Sequence, residues 1–120
     1  MIRVLIVEDE PRVRRSLRQR LELEPDLEVV GEAADGPAAM AALAVGLVDV
    51  VLLDVQLPGL DGLEVAAAMR ARGGSPRIVL HTLHDGPATR ARAVELGASF
   101  IPKAGPDEPL LAAIRGDALA

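Results

Sequence analysis

The chain has 120 residues, 50% of them hydrophobic and 26% charged, which is enough apolar material for one packed domain and too much for a disordered segment. A formal net charge of -5 argues against a nucleic-acid-binding surface within these residues. The absence of cysteine excludes disulfides, thiolate metal sites and a cysteine nucleophile.

Met1, Ile2 and Arg3 lead straight into an apolar strand, without the basic segment and cleavage site of a signal peptide. Asp49 interrupts the Ala- and Val-rich residues 41–53, so no membrane span is expected and the chain reads as cytoplasmic. The first strand, Ile2–Val7, ends in Glu8, Asp9 and Glu10, and Pro11 opens a helix whose Val13, Leu17 and Leu21 form one buried stripe. Pro25 stops that helix. Residues 28–33 form a second, more polar strand, and Asp35, Gly36 and Pro37 start an alanine-rich helix with Met40 and Leu43 inward, ending near Gly46. Residues 48–53 are apolar on both faces, as a strand buried inside a parallel sheet requires. Asp54 stands where this strand gives out, and the turn formers Pro58 and Gly59 leave it at the lip of the sheet. Asp61 and Glu64 have the spacing of a capping box for a third helix, which ends at Gly73 and Gly74. Arg77–Thr82 is a fourth strand, Asp85, Gly86 and Pro87 start a fourth helix running to Gly97, and residues 99–103 form a short fifth strand. The last helix begins around residues 107–109 and carries Leu110, Leu111 and Ile114.

Strands alternating with helices of about three turns imply parallel βαβ units. Glu28 and Glu32 suit strand two to a sheet edge, and Pro102 suits strand five to the other. The expected fold is therefore α/β, a doubly wound five-stranded parallel sheet in the order 2-1-3-4-5 with five helices, of the flavodoxin-like kind. All strand ends then share one rim, which collects Glu8, Asp9, Asp54, Thr82 and Lys103, and ligands bind there where the order reverses.

An acidic pair before a helix commonly serves only the helix dipole, but Glu8 and Asp9 facing Asp54 repel one another, which either raises a pKa or calls for a cation. Oxygen-only ligation suits Mg²⁺, which keeps several waters and recruits a phosphate oxygen. Of the 13 basic side chains Lys103 is the only lysine, and a compact ammonium suits one phosphoryl oxygen. Thr82, one of only two threonines, offers a hydroxyl to another. Together these describe phosphoryl transfer to a carboxylate, with Asp54 as nucleophile, Mg²⁺ offsetting charge, and Lys103 and Thr82 holding the transferred oxygens.

The segments 7–11 (Val-Glu-Asp-Glu-Pro), 52–62 (Leu-Leu-Asp-Val-Gln-Leu-Pro-Gly-Leu-Asp-Gly) and 97–103 (Gly-Ala-Ser-Phe-Ile-Pro-Lys), with Thr82 after an apolar strand, resemble the response-regulator receiver family of two-component signalling. The resemblance covers essentially the whole chain and implies one receiver domain over residues 1–120. It implies that Asp54 accepts phosphoryl from a sensor histidine kinase, and that Asp9, Asp54 and the main-chain carbonyl of Gln56 bind Mg²⁺, with Glu8 acting through water or as a further ligand. It also implies a switch in which Thr82 moves toward the phosphoryl group and the ring of Phe100, the only aromatic residue, turns into the space it leaves, changing the surface of helix 4, strand 5 and helix 5. Such a domain signals and catalyses its own phosphotransfer and slow dephosphorylation, and is not an enzyme acting on a separate substrate. A homodimer is among the assemblies open to it.

Lys103, Ala104 and Gly105 resemble receivers of helix-turn-helix transcription regulators of the NarL/LuxR type, and Ala104 in place of proline makes a cis peptide there unexpected. Leu83 is larger than the alanine or glycine common next to the threonine, and is expected to narrow access to Asp54. Phe100 lacks the hydroxyl of the tyrosine often found there. Two other functions compete with this reading. A haloacid-dehalogenase-type phosphatase requires an Asp where Gln56 stands, and a receiver-like scaffold without phosphorylation would typically lose the acidic pocket or the lysine. A zinc site at His81 and His84 lacks a cysteine to complete it, so a packed strand histidine and a loop histidine are expected. Arg12, Arg14, Arg15, Arg18 and Arg20 resemble the region receivers use to dock their kinase, or form a solvated helix face balanced by Glu22 and Glu24. Gly73 and Gly74 neither follow a strand nor open a helix, so they are no phosphate loop.

Overall fold

The computed structural model describes residues 1–73, 76–83 and 86–117. The elements follow one another as β1 (Ile2–Val7), α1 (Pro11–Glu22), β2 (Leu27–Ala33), α2 (Gly36–Ala44), β3 (Val50–Leu53), α3 (Gly62–Ala71), β4 (Arg77–Thr82), α4 (Pro87–Glu95), β5 (Ser99–Pro102) and α5 (Glu108–Arg115). All strand pairs are parallel and the sheet order is β2-β1-β3-β4-β5, the doubly wound arrangement expected from the pattern.

Every residue of β3 is buried, because helices cover both faces of the sheet. Alternation divides the strands between two cores. Leu5, Val7, Val51, Leu53, Ile78 and Leu80 pack on the side of Ala39, Val65, Met69 and Ala93 from α2, α3 and α4. Val4, Ile6, Val50, Leu52, Val79 and Ile101 pack on the side of Leu21, Leu111 and Ile114 from α1 and α5. Pro11, Pro37, Pro87 and Pro109 each stand in the first turn of their helix, where the missing N–H leaves nothing unsatisfied. The expected capping box of Asp61 and Glu64 is formed. Asp85, expected to start α4, lies outside the described residues; the cap of that helix is Gly86, with no side-chain bond.

The apolar run at residues 48–53 yields a strand only from Val50, because Asp49 turns to Arg3. Its carboxylate accepts from the Arg3 main-chain N at 2.8 Å, from Nε at 3.1 Å and from a terminal guanidinium nitrogen at 3.1 Å. The Arg3 guanidinium holds the Asp49 carboxyl at about 2, well below the usual range. Glu32 on edge strand β2 pairs with Arg14 and Arg18 of α1, which accounts for charge in a strand that lies against a helix.

Asp54 lies beyond the end of β3, and its position depends on the start of α3. The Gly62 N–H donates to the Val55 carbonyl at 2.7 Å, and a Cβ on Gly62 would overlap the Asp54 carbonyl oxygen and sit 2.8 Å from Val55 Cα. Only glycine lets α3 come this close to the backbone that carries Asp54. Gly62→Ala should therefore lower stability by about 1–3 kcal/mol, the usual toll of overpacking a rigid site; an unchanged midpoint in urea denaturation would show that the backbone yields freely.

Candidate functional site

Three strands deliver the site, each through a backbone bond that continues its ladder past the last regular residue. Glu8 N donates to Ala33 O at 3.0 Å, Asp54 N to Val7 O at 3.0 Å, and Lys103 N to Thr82 O at 2.9 Å. The ends of β1, β3 and β5 are thus fixed relative to one another before any side chain acts. Among the described residues the buried polar or charged side chains are Glu8, Asp54 and Thr82, at 2%, 7% and 0% exposure. Burial of two carboxylates side by side needs a matched donor for each oxygen.

Lys103 supplies the counter-charge. Its ammonium donates to Glu8 Oε1 and, at 2.8 Å, to Asp54 Oδ2. The remaining oxygens accept from main chain, Glu8 Oε2 from Glu10 N at 3.1 Å and Asp54 Oδ1 from Gln56 N at 3.0 Å. Arg14 steadies the same turn by donating to the Glu8 carbonyl at 2.9 Å. Burial pushes the Glu8 carboxyl above its usual range despite the opposing pull of Lys103. Burial also works against the Lys103 charge, but the hydrogen bonds and charges of Asp54 and Glu8 together outweigh it and hold the ammonium above the ordinary lysine value. The lysine is therefore ionised at neutral pH.

Glu8, Asp9 and Asp54 each present an oxygen within 4.8 Å of the others'. One lysine against these three carboxylates leaves two negative charges unmatched, the charge of a divalent ion, and a donor set of oxygen alone fits Mg²⁺. The three acids, Gln56, Leu83 and Lys103 line one open cleft of about 730 Å³. Asp9 and Gln56 are exposed at its mouth, and Leu83 is 73% exposed, so its side chain borders the entrance without filling it.

Thr82 ends β4 as expected, yet it is fully buried and is not among the residues lining the cleft. Strand pairing explains this. Leu80 pairs with Phe100 and Thr82 with Pro102, so by alternation Thr82 points to the face that α3 and α4 cover, where Phe100 is half-buried against the core. His81 faces the other way, into a groove between α1 and α5 lined also by Arg12, Ser16 and Arg20. Its Nδ1 has no hydrogen-bond partner, and burial followed by the Lys103 charge lowers its pKa to about 4, so it is the packed, neutral strand histidine expected. His84 lies outside the described residues. Among them the one cluster with metal-ligand geometry is the acidic one.

The arginine run of α1 is largely absorbed by ion pairs. Arg14 and Arg18 meet Glu32, Arg18 also meets Glu22, and Arg20 meets Glu24 and Asp107. Arg90 of α4, which sequence reasoning did not single out, lies over the Phe100 ring with its guanidinium carbon 4.7 Å from the centroid. No peptide bond among the described residues is cis, as Ala104 led one to expect.

The model of the response regulator receiver domain matches residues 4–115 of the chain. The chain belongs to this family. Among curated relatives of the receiver, a protein of Mycobacterium tuberculosis described as a probable transcriptional regulatory protein, NarL, is 41% identical over 98 residues, covering 82% of this chain and 45% of that protein. The nitrate/nitrite response regulator protein NarP of Escherichia coli is 39% identical over 116 residues, covering 96% of this chain and 54% of that protein. The receiver thus spans about half the length of these relatives. Among solved structures, the signal receiver domain of NarL from Mycobacterium tuberculosis superposes with a TM-score of 0.87 at 37% identity, over 96% of this chain and 97% of that one. The receiver fold is accordingly that of response regulators, and no helix among the described residues is long and apolar enough to cross a membrane.

Removing the bridging cation should leave Glu8 and Asp54 facing each other uncompensated. Lys103→Met is expected to lose about 3 kcal/mol at pH 7, the lower end for a broken buried pair because the cleft is open to water. Glu8 is raised in the fold, so its contribution favours the native state below the ordinary carboxylate value and is lost as pH rises through its folded value. The deficit of the variant should therefore shrink as pH falls toward the carboxylate range. Urea denaturation of both proteins across that range checks this, and a deficit that grows on acidification would contradict it.

Proposed function

We propose that residues 1–120 form a phosphoacceptor signalling switch in which Asp54 is the nucleophile. An oxygen of the Asp54 carboxylate attacks phosphorus on the phosphohistidine of a sensor histidine kinase. The P–O bond forms as the P–N bond breaks, the imidazole leaves with the electron pair and takes up a proton, and Asp54 becomes an acyl phosphate. The observation that carries this reading is the Lys103 ammonium set between Glu8 and Asp54 at the strand ends, beside an open cleft. It offsets part of the negative charge around the nucleophile and stands within reach of an oxygen of the incoming group.

Glu8, Asp9, Asp54 and the main-chain carbonyl of Gln56 are the groups that would hold Mg²⁺. The ion, when bound, offsets the negative charge gathered between carboxylates and phosphate. Thr82 is assigned a second hold on the transferred group. It is fully buried and shares a face with half-buried Phe100, so movement of Thr82 toward the cleft would open room into which that ring turns. The surface of α4, β5 and α5 changes in consequence. This makes the chain a cytoplasmic switch and not an enzyme with a separate substrate. Its partner on this reading is the kinase, a homodimer being among the assemblies open to it, with no contact of its own to nucleic acid or membrane. The relatives named as response and transcriptional regulators, about twice as long, support an output through a C-terminal DNA-binding domain.

Incubation with acetyl phosphate and Mg²⁺ should add one phosphoryl group to the intact chain by mass spectrometry, and Asp54→Asn should abolish the addition. Equal labelling of that variant would overturn the assignment. Because Leu83 borders the mouth of the cleft, Leu83→Ala should raise the labelling rate by small donors about two- to tenfold, as expected for about 0.5–1.4 kcal/mol of barrier. An unchanged rate would show that the leucine does not limit entry.

A further inference from the structure

Resting on the switch reading above, we propose that Arg90 is a positioning residue that latches the Phe100 ring in its outward place and so sets the threshold at which the chain responds. The guanidinium of α4 lies over the ring with 4.7 Å from its carbon to the centroid, within the reach of a cation–π contact. Arginine is the residue suited to this, since its planar group stacks on an aromatic face.

The ring has a particular need of such a hold. Phe100 carries no hydroxyl, so no hydrogen bond can anchor it at the surface, and its half-buried position on the core of α3 and α4 gives it an apolar incentive to go deeper. Phe100 is the only aromatic side chain of the sequence, so Arg90 has no other ring to cover. Arg90 itself is exposed. If the ring turns inward beside Thr82, an exposed guanidinium must either follow it into apolar surroundings, losing hydration, or let go. Letting go is the cheaper course, so the outward and inward ring positions differ by the loss of this contact. The latch therefore opposes activation, and its release removes one contact between α4 and β5 on the face that is to change.

The single phenylalanine permits a direct test. Biosynthetic replacement by 4-fluorophenylalanine gives one ¹⁹F resonance, which is followed as beryllofluoride is added with Mg²⁺. In Arg90→Ala the resting resonance should move toward the position that the saturated wild-type protein reaches. The beryllofluoride concentration for half conversion should fall about two- to fivefold, the population shift that an exposed cation–π contact can supply. Arg90→Lys, which keeps a cation but not the stacking plane, should fall between. Arg90 makes more than the one contact, so the same substitution is repeated in a Phe100→Leu background, followed by backbone amide shifts. There Arg90→Ala should leave the midpoint where it was. A responsive wild-type resonance with an Arg90→Ala midpoint unchanged, or an equal shift in the Phe100→Leu background, would overturn the latch. A wild-type resonance that does not move with beryllofluoride would overturn the switch reading and the latch with it.

Discussion

The rim of the sheet depends on one ammonium group shared by two buried carboxylates. Glu8 follows β1, Asp54 follows β3 and Lys103 follows β5, and β4 lies between the last two in the sheet. The lysine must therefore cross the end of β4 to reach its partners, which a long flexible stem can do with the charge delivered at its tip. Sequence separations of 95 and 49 residues make this the contact that no local segment could form alone. Either acid without the cation would be a charge taken out of water with nothing to match it. The cation without the acids would be equally misplaced. Each strand end is thereby held in the register that brings chemistry to the rim.

That arrangement constrains the loops around it. Glycine at position 62 lets α3 close on the backbone of Asp54 and Val55, and the Asp54 side chain in turn accepts from Gln56 N, so the segment after β3 is pinned from both ends. Arg14 donates to the carbonyl of Glu8 from α1 while also meeting Glu32 of β2. The open side of the cleft is left to Asp9, Gln56 and Leu83, which are exposed. Rigidity lies beneath the acids and access lies above them.

Most of this was legible in the sequence because the signals are local. Two-sided apolar runs mark the inner strands, Glu28, Glu32 and Pro102 mark the edges, and each site residue sits directly after its strand, so the parallel fold alone collects them. What escaped depends on contacts between distant elements. Asp49 reads as an interruption of an apolar stretch, and only the pairing of β1 with β3 shows that it binds Arg3 and shortens β3 by two residues. Gly62 stands inside the Asp61–Glu64 capping-box segment, and nothing in that segment announces the Asp54 carbonyl beside it. Arg90 reads as one more exposed helix arginine, because stacking on Phe100 depends on how α4 lies along β5. Thr82 ends β4, but strand alternation turns its side chain onto the face of α4 and away from the cleft wall.

The same alternation gives β4 the character of a bulkhead between two compartments. His81 looks into the groove beside α1 and α5, and Thr82, the next residue, looks toward α4. A change of side-chain size on one side therefore leaves little steric trace on the other. A single residue inserted before His81 would turn the side chains that follow it to the opposite face, so length here is less negotiable than composition.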